Sequence, residues 1–273
     1  MSTKSIMASF VAEKMSPVLC SVPYNGYLYL GGSDGMVYRT VDGSYHDEFW
    51  RVGDGPIMSM EIYGGALFAG TSPEGNVYMH NFSTGNRFHH AVSGDHAVTS
   101  LKVHDNILYA GTSYSGVILS FDGAEWTKGY EALRSVSSMA SYSGALYVFF
   151  SDSNSVLVFD GSEWKFMADG ESVFAMGGKF PVETSIAALS VKESNDSGVS
   201  HSVVVGDKIF FAGTDRAAVY SFDGSNVSVE YQFGEGIVES MSGSESQLFI
   251  SVGDSVYVNV LDEDEEVSDG DSN

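Results

Sequence analysis

Histidines are the residues whose spacing first suggests chemistry in this sequence. Five of the seven lie between positions 80 and 104. Three of them, His80, His89 and His90, flank a polar Ser83-Thr84-Gly85 segment that is typical of a hairpin turn. A two-residue turn would place His80 opposite His89, and a three-residue turn would place it opposite His90. Two imidazoles facing each other across a strand pair can bind a transition metal, so these three are candidate metal ligands; the alternative is packing or solvent exposure.

Carboxylates recur at one position of the sequence pattern. Asp34, Glu74, Asp152 and Asp215 each stand between two short apolar runs, which places them in comparable turns. If those turns share one face of the fold, several acids lie together there, and calcium or another divalent metal would be their natural ligand. No Asp-x-Asp-x-Asp-Gly calcium loop occurs, and Asp is common in ordinary turns. The sequence therefore predicts no dedicated cofactor, with a divalent metal as the alternative.

The segment 165–209 is the most individual part of the chain. We interpret Asn195-Asp196-Ser197-Gly198 as the tip of a hairpin between strands at 186–191 and 199–205. Long insertions in compact folds are often functional, although lengthening a surface loop also costs little. The candidate partner-binding residues of this segment are Lys179, Phe180, Lys192, Asn195 and Asp196.

These candidates belong to a sequence that repeats. An apolar-aromatic-x-Gly-Thr pattern, complete or degenerate, recurs at intervals of 39, 41, 38, 64 and 38 residues, so one interval holds an insertion of about 25 residues. Its copies begin at Leu28, Leu67, Leu108, Leu146, Phe210 and Leu248. Four short strands per copy, with no helical period, predict an all-β fold: a six-bladed β-propeller of four-stranded antiparallel blades, in a single domain covering 1–261.

The third apolar run of three copies ends in Phe-Asp-Gly. An Asp-Gly pair between strands favours a two-residue type I′ hairpin. That turn would place a large apolar pair at one cross-strand position of each outer hairpin, which stabilises a sheet. The predicted pairs are Leu119 with Trp126, Leu157 with Trp164, and Tyr220 with Val227.

The two ends of the chain complement each other. The last copy supplies three strands, at 237–243, 247–252 and 255–261, and then becomes a run of acidic residues. The N-terminal segment 5–12 reads as a spare strand. We expect it to pair as the outermost strand of the last blade and so close the ring. Residues 262–273 have few apolar side chains and are predicted to be a disordered acidic tail.

Charge and composition exclude several classes of partner. The chain has 13 Lys and Arg against 36 Asp and Glu, a formal net charge of −23. Nucleic acid binding needs clustered cations, so neither nucleic acid nor an anionic membrane surface is expected as a partner. No apolar run is long enough for membrane insertion, and the N-terminus lacks the pattern of a signal peptide, which favours a cytoplasmic or virion location. The single cysteine, Cys20, excludes an intramolecular disulfide.

The repeat resembles those of known propellers. Its Leu-Tyr-Ala-Gly-Thr, Gly-x-Val-Tyr and Phe-Asp-Gly-x-x-Trp patterns are similar to the degenerate repeats of bacterial and viral propellers, and residues 28–38 are similar to the quinoprotein-type repeat. The Gly-His and Trp-Asp dipeptides of WD40 repeats are absent. Propellers of this kind also occur in tailed-phage virions and bacterial surface proteins. The resemblance implies an architecture and leaves the function to the site.

Two functions fit the sequence. The first is a non-catalytic module that binds a protein or glycan, or serves as a structural component of a larger assembly such as a phage virion or tail. It is favoured by the regularity of the repeats and because no P-loop occurs. The alternative is a metal-dependent, lactonase-like hydrolase with carboxylates in the central channel. An enzyme requires several acids converging on that channel, whereas an assembly component requires none. The pattern indicates no particular oligomeric state.

Overall fold

The strands of this protein form small sheets that are antiparallel throughout. The computed structural model describes residues 6–8, 16–41, 46–91, 95–153, 155–166, 198–215, 217–223, 227–233, 236–243, 247–252 and 255–260. Within these residues there are 24 strands, grouped in six four-stranded sheets. The arrangement is an all-β propeller with four-stranded antiparallel blades.

Five of the sheets are built from strands that are consecutive in the chain. The first contains β2 (Val18–Tyr24), β3 (Tyr27–Gly32), β4 (Met36–Thr40) and β5 (His46–Arg51). The second contains β6 (Ile57–Tyr63), β7 (Ala66–Thr71), β8 (Asn76–Asn81) and β9 (Arg87–Ala91). The third contains β10 (Val98–His104), β11 (Ile107–Thr112), β12 (Val117–Phe121) and β13 (Trp126–Glu131). The fourth contains β14 (Val136–Tyr142), β15 (Ala145–Phe150), β16 (Val156–Phe159) and β17 (Trp164–Phe166). The fifth contains β18 (Val199–Val205), β19 (Lys208–Gly213), β20 (Ala218–Phe222) and β21 (Val227–Gln232).

The sixth sheet combines the two ends of the chain. It contains β22 (Val238–Gly243), β23 (Gln247–Val252) and β24 (Ser255–Val260), which match the strands predicted for the last copy to within one residue. Its fourth strand is β1 (Ile6–Ala8), which pairs antiparallel with β24, with Met7 opposite Tyr257. The predicted disordered tail, 262–273, lies outside the described residues.

The first strands of the sheets are neighbours in space. They pack against one another in the order β2, β6, β10, β14, β18 and β22, and β22 also contacts β2. The apolar core lies between successive sheets; one cluster, for example, joins Phe68 and Val77 of the second sheet to Leu101 and Leu119 of the third. Because both faces of a sheet are covered in this way, some strands have continuous apolar sequences, and others alternate between apolar and polar residues.

The outer hairpins have a different register from the predicted one. Phe121 pairs with Trp126, and Leu119 faces Lys128 instead. The Asp122 carboxylate explains the shift, because it accepts hydrogen bonds from the backbone N–H groups of Ala124 at 2.8 Å and Glu125 at 3.0 Å. An Asx-type turn of this kind lengthens the loop to four residues. The same two-residue shift corrects the other two predicted pairs: Phe159 pairs with Trp164, and Phe222 pairs with Val227.

The predicted hairpin at the end of the insertion is also corrected. The segment Val199–Val205 is the first strand of the fifth sheet, and its partner in that sheet is β19. It lies beside the first strands β14 and β22, which leaves it no role as the second arm of a protruding hairpin. The proposed first arm, 186–191, lies outside the described residues. No helix in the described part of the chain is long and apolar enough to cross a membrane.

Candidate functional site

The first strands share an irregularity that shapes the centre of the molecule. Each of the six contains a β-bulge near its start, where one extra residue interrupts the pairing with the second strand. In β10, for example, Val98 pairs with Thr112 and Ser100 with Gly111, so Thr99 is the extra residue. Bulges bend a strand and re-aim its side chains. The residues at the six bulges are Leu19, Met58, Thr99, Ser137, Ser200 and Glu239.

A central cavity of about 580 Å³ lies between the six first strands. This size is within the range of small-molecule sites, which makes the cavity the first place to look for chemistry. Its wall combines apolar side chains, such as Met58 and Met139, with many short hydroxyl side chains. They include Ser21, Ser59, Thr99, Ser100, Ser137, Ser138, Ser200, Ser202, Ser240 and Ser242.

Several of these hydroxyl groups bind the backbone of the neighbouring sheet. The Ser59 hydroxyl donates to the Val98 carbonyl at 3.0 Å, and the Thr99 hydroxyl donates to the Val136 carbonyl at 2.5 Å. Each accepting carbonyl belongs to the first residue of the next first strand. Ser137 makes the equivalent bond to Val199 at 2.5 Å. These groups connect successive sheets, and their hydrogen-bonding capacity is used within the fold.

Two serine pairs continue this pattern deeper in the strands. The hydroxyl groups of Ser138 and Ser202 lie 2.8 Å apart and join the fourth sheet to the fifth. Ser21 donates to Ser242 at 2.7 Å and joins the first sheet to the sixth. These two pairs are connectors between sheets, and a direct side-chain bond links the first and last repeats. Ser200, in contrast, donates to the Ala212 and Gly213 carbonyls of its own sheet.

The charged side chains of the wall do not form a metal site. Glu61 lies 3.0 Å from the Lys102 ammonium group, so its carboxylate is already paired. Glu239, at the sixth bulge, is the other carboxylate of the described wall. Among the residues the structure describes, no group of three or more His, Cys, Asp and Glu side chains is placed to hold a metal ion.

His201 is the one imidazole of the described wall, and it replaces a small residue. At the same position after the bulge the other first strands carry Cys20, Ser59, Ser100, Ser138 and Ser240. Its Nδ1 atom is buried without a hydrogen-bond partner. Burial lowers the pKa of His201 to about 4, so the ring is neutral at pH 7. Sequence comparison of the copies could have found His201, because it breaks a series of small polar residues, but the bulge that defines the position is visible only in the structure.

Cys20 is not a nucleophile. Its thiol donates to the Ile57 carbonyl at 3.4 Å, in the same manner as the neighbouring hydroxyl groups. Burial raises the pKa of this thiol far above its ordinary value. Since the thiolate is the reactive form, the side chain serves as a connector.

The three candidate metal-binding histidines are not brought together. His80 lies opposite Arg87, not opposite His89 or His90, because the turn at Asn81 is longer than predicted. His80 is buried among aromatic rings and accepts a hydrogen bond at Nδ1 from Arg87 at 3.4 Å. His89 and His90 are consecutive and so point to opposite faces of the strand.

Each of these imidazoles has an aromatic neighbour. His89 stacks on Tyr78 with ring centroids 4.7 Å apart, and His90 packs against Phe121 at 5.8 Å. Burial, together with Arg87, lowers the pKa of His80, and burial, together with His89, lowers the pKa of His90. In this register the three side chains pack against aromatic rings, and they are not placed opposite one another.

The turns and connections at one face of the molecule form the second candidate region. In each of the first five sheets, the turn between the second and third strands lies beside the connection that enters the same sheet. Backbone bonds join the two, as where Ser113 N donates to Ala97 O at 3.1 Å and Ser151 N donates to Ser135 O at 3.1 Å. We call this the connection face. The predicted turn carboxylates belong to it.

The connection face is acidic. Its described turns and connections carry six carboxylates, whereas their cation is Arg134, with Arg51 at the adjoining end of β5. The six are Asp34, Asp54, Glu74, Asp95, Asp152 and Asp215. They are spread around the face, one or two to a sheet, and do not converge on one point.

Two of these carboxylates are held by local hydrogen bonds. Burial opposes the ionisation of Asp34, but hydrogen bonds from Ser16 at 2.7 Å and Tyr38 at 2.8 Å outweigh it and keep its pKa below the ordinary value. Asp95 behaves likewise: burial raises its pKa less than hydrogen bonds to Ser115 and the His96 N–H lower it. Both side chains stay ionised at neutral pH and contribute to the negative face.

The candidate residues of the insertion are not tested by the structure. Lys179, Phe180, Lys192, Asn195 and Asp196 lie outside the described residues. The described chain stops at Phe166, at the end of β17, and resumes at Gly198. Gly198 O accepts a hydrogen bond from the Thr214 N–H at 3.1 Å, which places the resumption of the chain on the connection face.

Comparison with known proteins identifies the fold and no closer relative. No protein-family model matches the sequence, and no curated protein matches it. A structure of virginiamycin B lyase from Staphylococcus aureus is similar, with a TM-score of 0.72 at 10% identity, over 96% of this chain and 100% of that one. The WD40 repeats of RRP9 match with a TM-score of 0.66 at 12% identity, over 96% and 100% of the two chains. A chain of the mitotic checkpoint complex matches with a TM-score of 0.59 at 12% identity, over 96% and 77%. Likeness at this level of identity establishes the propeller fold alone.

Proposed function

We propose that this chain is a non-catalytic propeller that binds protein and acts as a component of a larger assembly, such as a virion. The observation that carries the proposal is that hydroxyl groups of the central cavity, which we also call the channel, form hydrogen bonds within the fold. Those of Ser59, Thr99 and Ser137 bind the next sheet, so side chains of the central cavity join three of the junctions between sheets. What remains for function is the outer surface.

The proposal includes the architecture that would make such a platform rigid. We infer that the six sheets are six blades of one closed ring, completed by the N-terminal strand. In support, β1 pairs with β24, and β2 packs beside β22 with the Ser21–Ser242 hydrogen bond between them. A ring closed in this way protects strand edges and holds its loops in fixed positions.

The metal-dependent hydrolase is the less supported alternative. That reading requires several acids converging on the channel, whereas the described wall holds Glu61, already paired with Lys102, and Glu239. The fold itself is compatible with both kinds of function, since the similar structures include a lyase and a chain of a checkpoint complex. A shared fold does not transfer a function, so the site decides.

Sedimentation tests the proposal. An extract of the source of this chain is separated on a density gradient, and the chain is located with an antibody. We expect it in fractions far heavier than the free chain of 29.3 kDa, at a constant ratio to its partners. Recovery as the free chain alone, under gentle ionic conditions, would contradict a role as an assembly component.

A further inference from the structure

Two large apolar side chains stand out on the connection face of the third sheet. Tyr114, in the turn between β11 and β12, is 78% exposed, and Leu133, in the connection between β13 and β14, is 76% exposed. Single exposed apolar residues are ordinary in proteins. These two, however, lie on adjoining segments, because the Tyr114 N–H donates to the Ser135 hydroxyl at 3.1 Å and the Ala132 N–H donates to Gly116 O at 2.9 Å.

Both residues have a left-handed backbone conformation, which is unfavourable for tyrosine and for leucine. Tyr114 has a φ of +70° and Leu133 a φ of +56°, in the left-handed region that bulky side chains rarely adopt. Because glycine adopts this region freely, a leucine here is costly and contributes no core packing in return. In the connection from the first sheet, Val52 makes the bond equivalent to that of Ala132, but the next residue, Gly53, does not have a left-handed backbone, so this conformation at Leu133 is not shared by that connection.

Local contacts hold the pair in place. The His96 ring meets the Tyr114 ring edge-to-face at 5.2 Å. Asp95 accepts hydrogen bonds from both the N–H and the hydroxyl group of Ser115, the residue after Tyr114. The turn is therefore fixed from one side while its aromatic ring faces solvent. Strain that is kept at an exposed position by surrounding bonds is typical of a functional surface.

We propose that Tyr114 and Leu133 anchor a docking surface for a protein whose contact surface is basic and carries an apolar pocket. Exposed tyrosine and leucine side chains on a rigid base can fill such a pocket, and tyrosine is frequent among the residues that dominate binding. This inference rests on the proposed function, since it names the surface through which the propeller binds.

Charge decides the kind of partner. The described connection face carries six carboxylates, of which Asp95 accepts hydrogen bonds from the residue after Tyr114, and the whole chain has a net charge of −23. A basic protein is attracted over long range to such a face, whereas an anionic membrane or a second copy of this chain is repelled. Arg134 and His96 lie beside the anchors and favour some acidic groups within the partner's otherwise basic contact surface.

The test uses random dodecapeptides displayed on phage and selected against the full chain. We expect the enriched peptides to combine Lys or Arg with a large apolar residue. In solution, measured by fluorescence anisotropy, their affinity should fall about tenfold in Leu133→Gly and by a similar factor in Tyr114→Ser. The matched control is Val41→Ser, which removes an apolar side chain of similar exposure, 70%, outside the connection face.

The variants should fold, because Leu133→Gly relieves the left-handed strain, and equal melting temperatures establish this. Enriched peptides that bind Leu133→Gly as tightly as the wild type would overturn this surface while leaving protein binding intact. Enrichment of peptides with a net negative charge would overturn the basic partner. A dimer in analytical ultracentrifugation that Leu133→Gly dissociates would show that a second copy is the occupant, which also overturns the proposal.

Discussion

The channel and the connection face use their side chains in opposite ways. In the channel, Ser59, Thr99 and Ser137 occupy repeated positions, and each binds the backbone of the next sheet. On the connection face, Tyr114 and Leu133 place apolar groups in solvent at the expense of backbone strain. The polar groups inside thus serve stability, whereas the apolar groups outside remain largely in solvent, with the edge-to-face contact between Tyr114 and His96 as the ring contact of the pair. This difference is the basis of the proposal that the molecule binds through its loops.

The largest loss of stability is expected at Gly116, where the turn that carries Tyr114 meets the connection that carries Leu133. A Cβ atom at Gly116 would lie 2.0 Å from the Arg134 carbonyl oxygen, and the φ of Gly116 is +64°. Gly116→Ala must separate the turn from the connection, and we expect a loss of about 3 kcal/mol in the free energy of unfolding. Denaturant titration measures it. The control is Gly64→Ala, with a φ of +56° but open space around it, which should cost about 1 kcal/mol; equal losses for the two variants would contradict the account of this junction.

The next effect is pH-dependent and belongs to the channel. His201 has a pKa of about 4 in the folded chain, below its unfolded value of about 6.5. A lowered pKa means that the unfolded state binds the proton first, so the stability contribution is complete above pH 6.5 and is lost as the pH falls toward 4. Relative to His201→Ser, the wild type should lose about 2 kcal/mol over that interval. Parallel pH profiles of the two proteins would show that His201 is not buried in the neutral form.

A smaller effect is expected when one connection between sheets is removed. Thr99→Val keeps the shape of the side chain but leaves the Val136 carbonyl without its hydroxyl donor. The expected loss is about 1 kcal/mol, the value of a partly buried hydrogen bond. Ser120→Ala is the control, since its bond to Thr127 is exposed, and it should change the unfolding free energy by less than about 0.5 kcal/mol. A neutral Thr99→Val would remove the structural interpretation of the channel hydroxyl groups.

The smallest effect concerns the exposed anchor itself. Leu133→Gly replaces a strained leucine with the residue that prefers its backbone conformation, and it removes no packed side chain. We expect no loss of stability and a gain of up to about 0.5 kcal/mol. Thermal unfolding checks this. A loss above about 1 kcal/mol would mean that Leu133 packs within the fold and is not kept for a partner.

The sequence predicted the repeated framework well because that information is local. The copies beginning at Leu67 and Leu108 become the second strands β7 and β11, as their apolar-aromatic-Gly-Thr pattern requires. The predicted register of the outer hairpins was wrong for an equally local reason. The rule that an Asp-Gly pair favours a two-residue turn does not consider the Asp side chain. The Asp122 side chain hydrogen-bonds to the backbone and so selects a four-residue loop.

The site was less predictable because it depends on how sheets meet. His80 was expected to face another histidine, but a longer turn sets it opposite Arg87 within an aromatic cluster. The bulges that line the channel, and the bond from Thr99 to the neighbouring sheet, involve residues that no pattern within one repeat connects. Left-handed backbone at Leu133 carries no sequence signal, since leucine there contradicts the usual preference.

Metal content measured together with thermal unfolding tests the central claim most directly. The purified chain is analysed by elemental mass spectrometry, and its melting temperature is recorded before and after treatment with a chelator. A cavity whose hydroxyl groups bind neighbouring sheets predicts no metal at a fixed ratio to the chain and a melting temperature that chelation leaves unchanged. One metal ion per chain, with a lower melting temperature after its removal, would contradict the structural channel and favour the hydrolase.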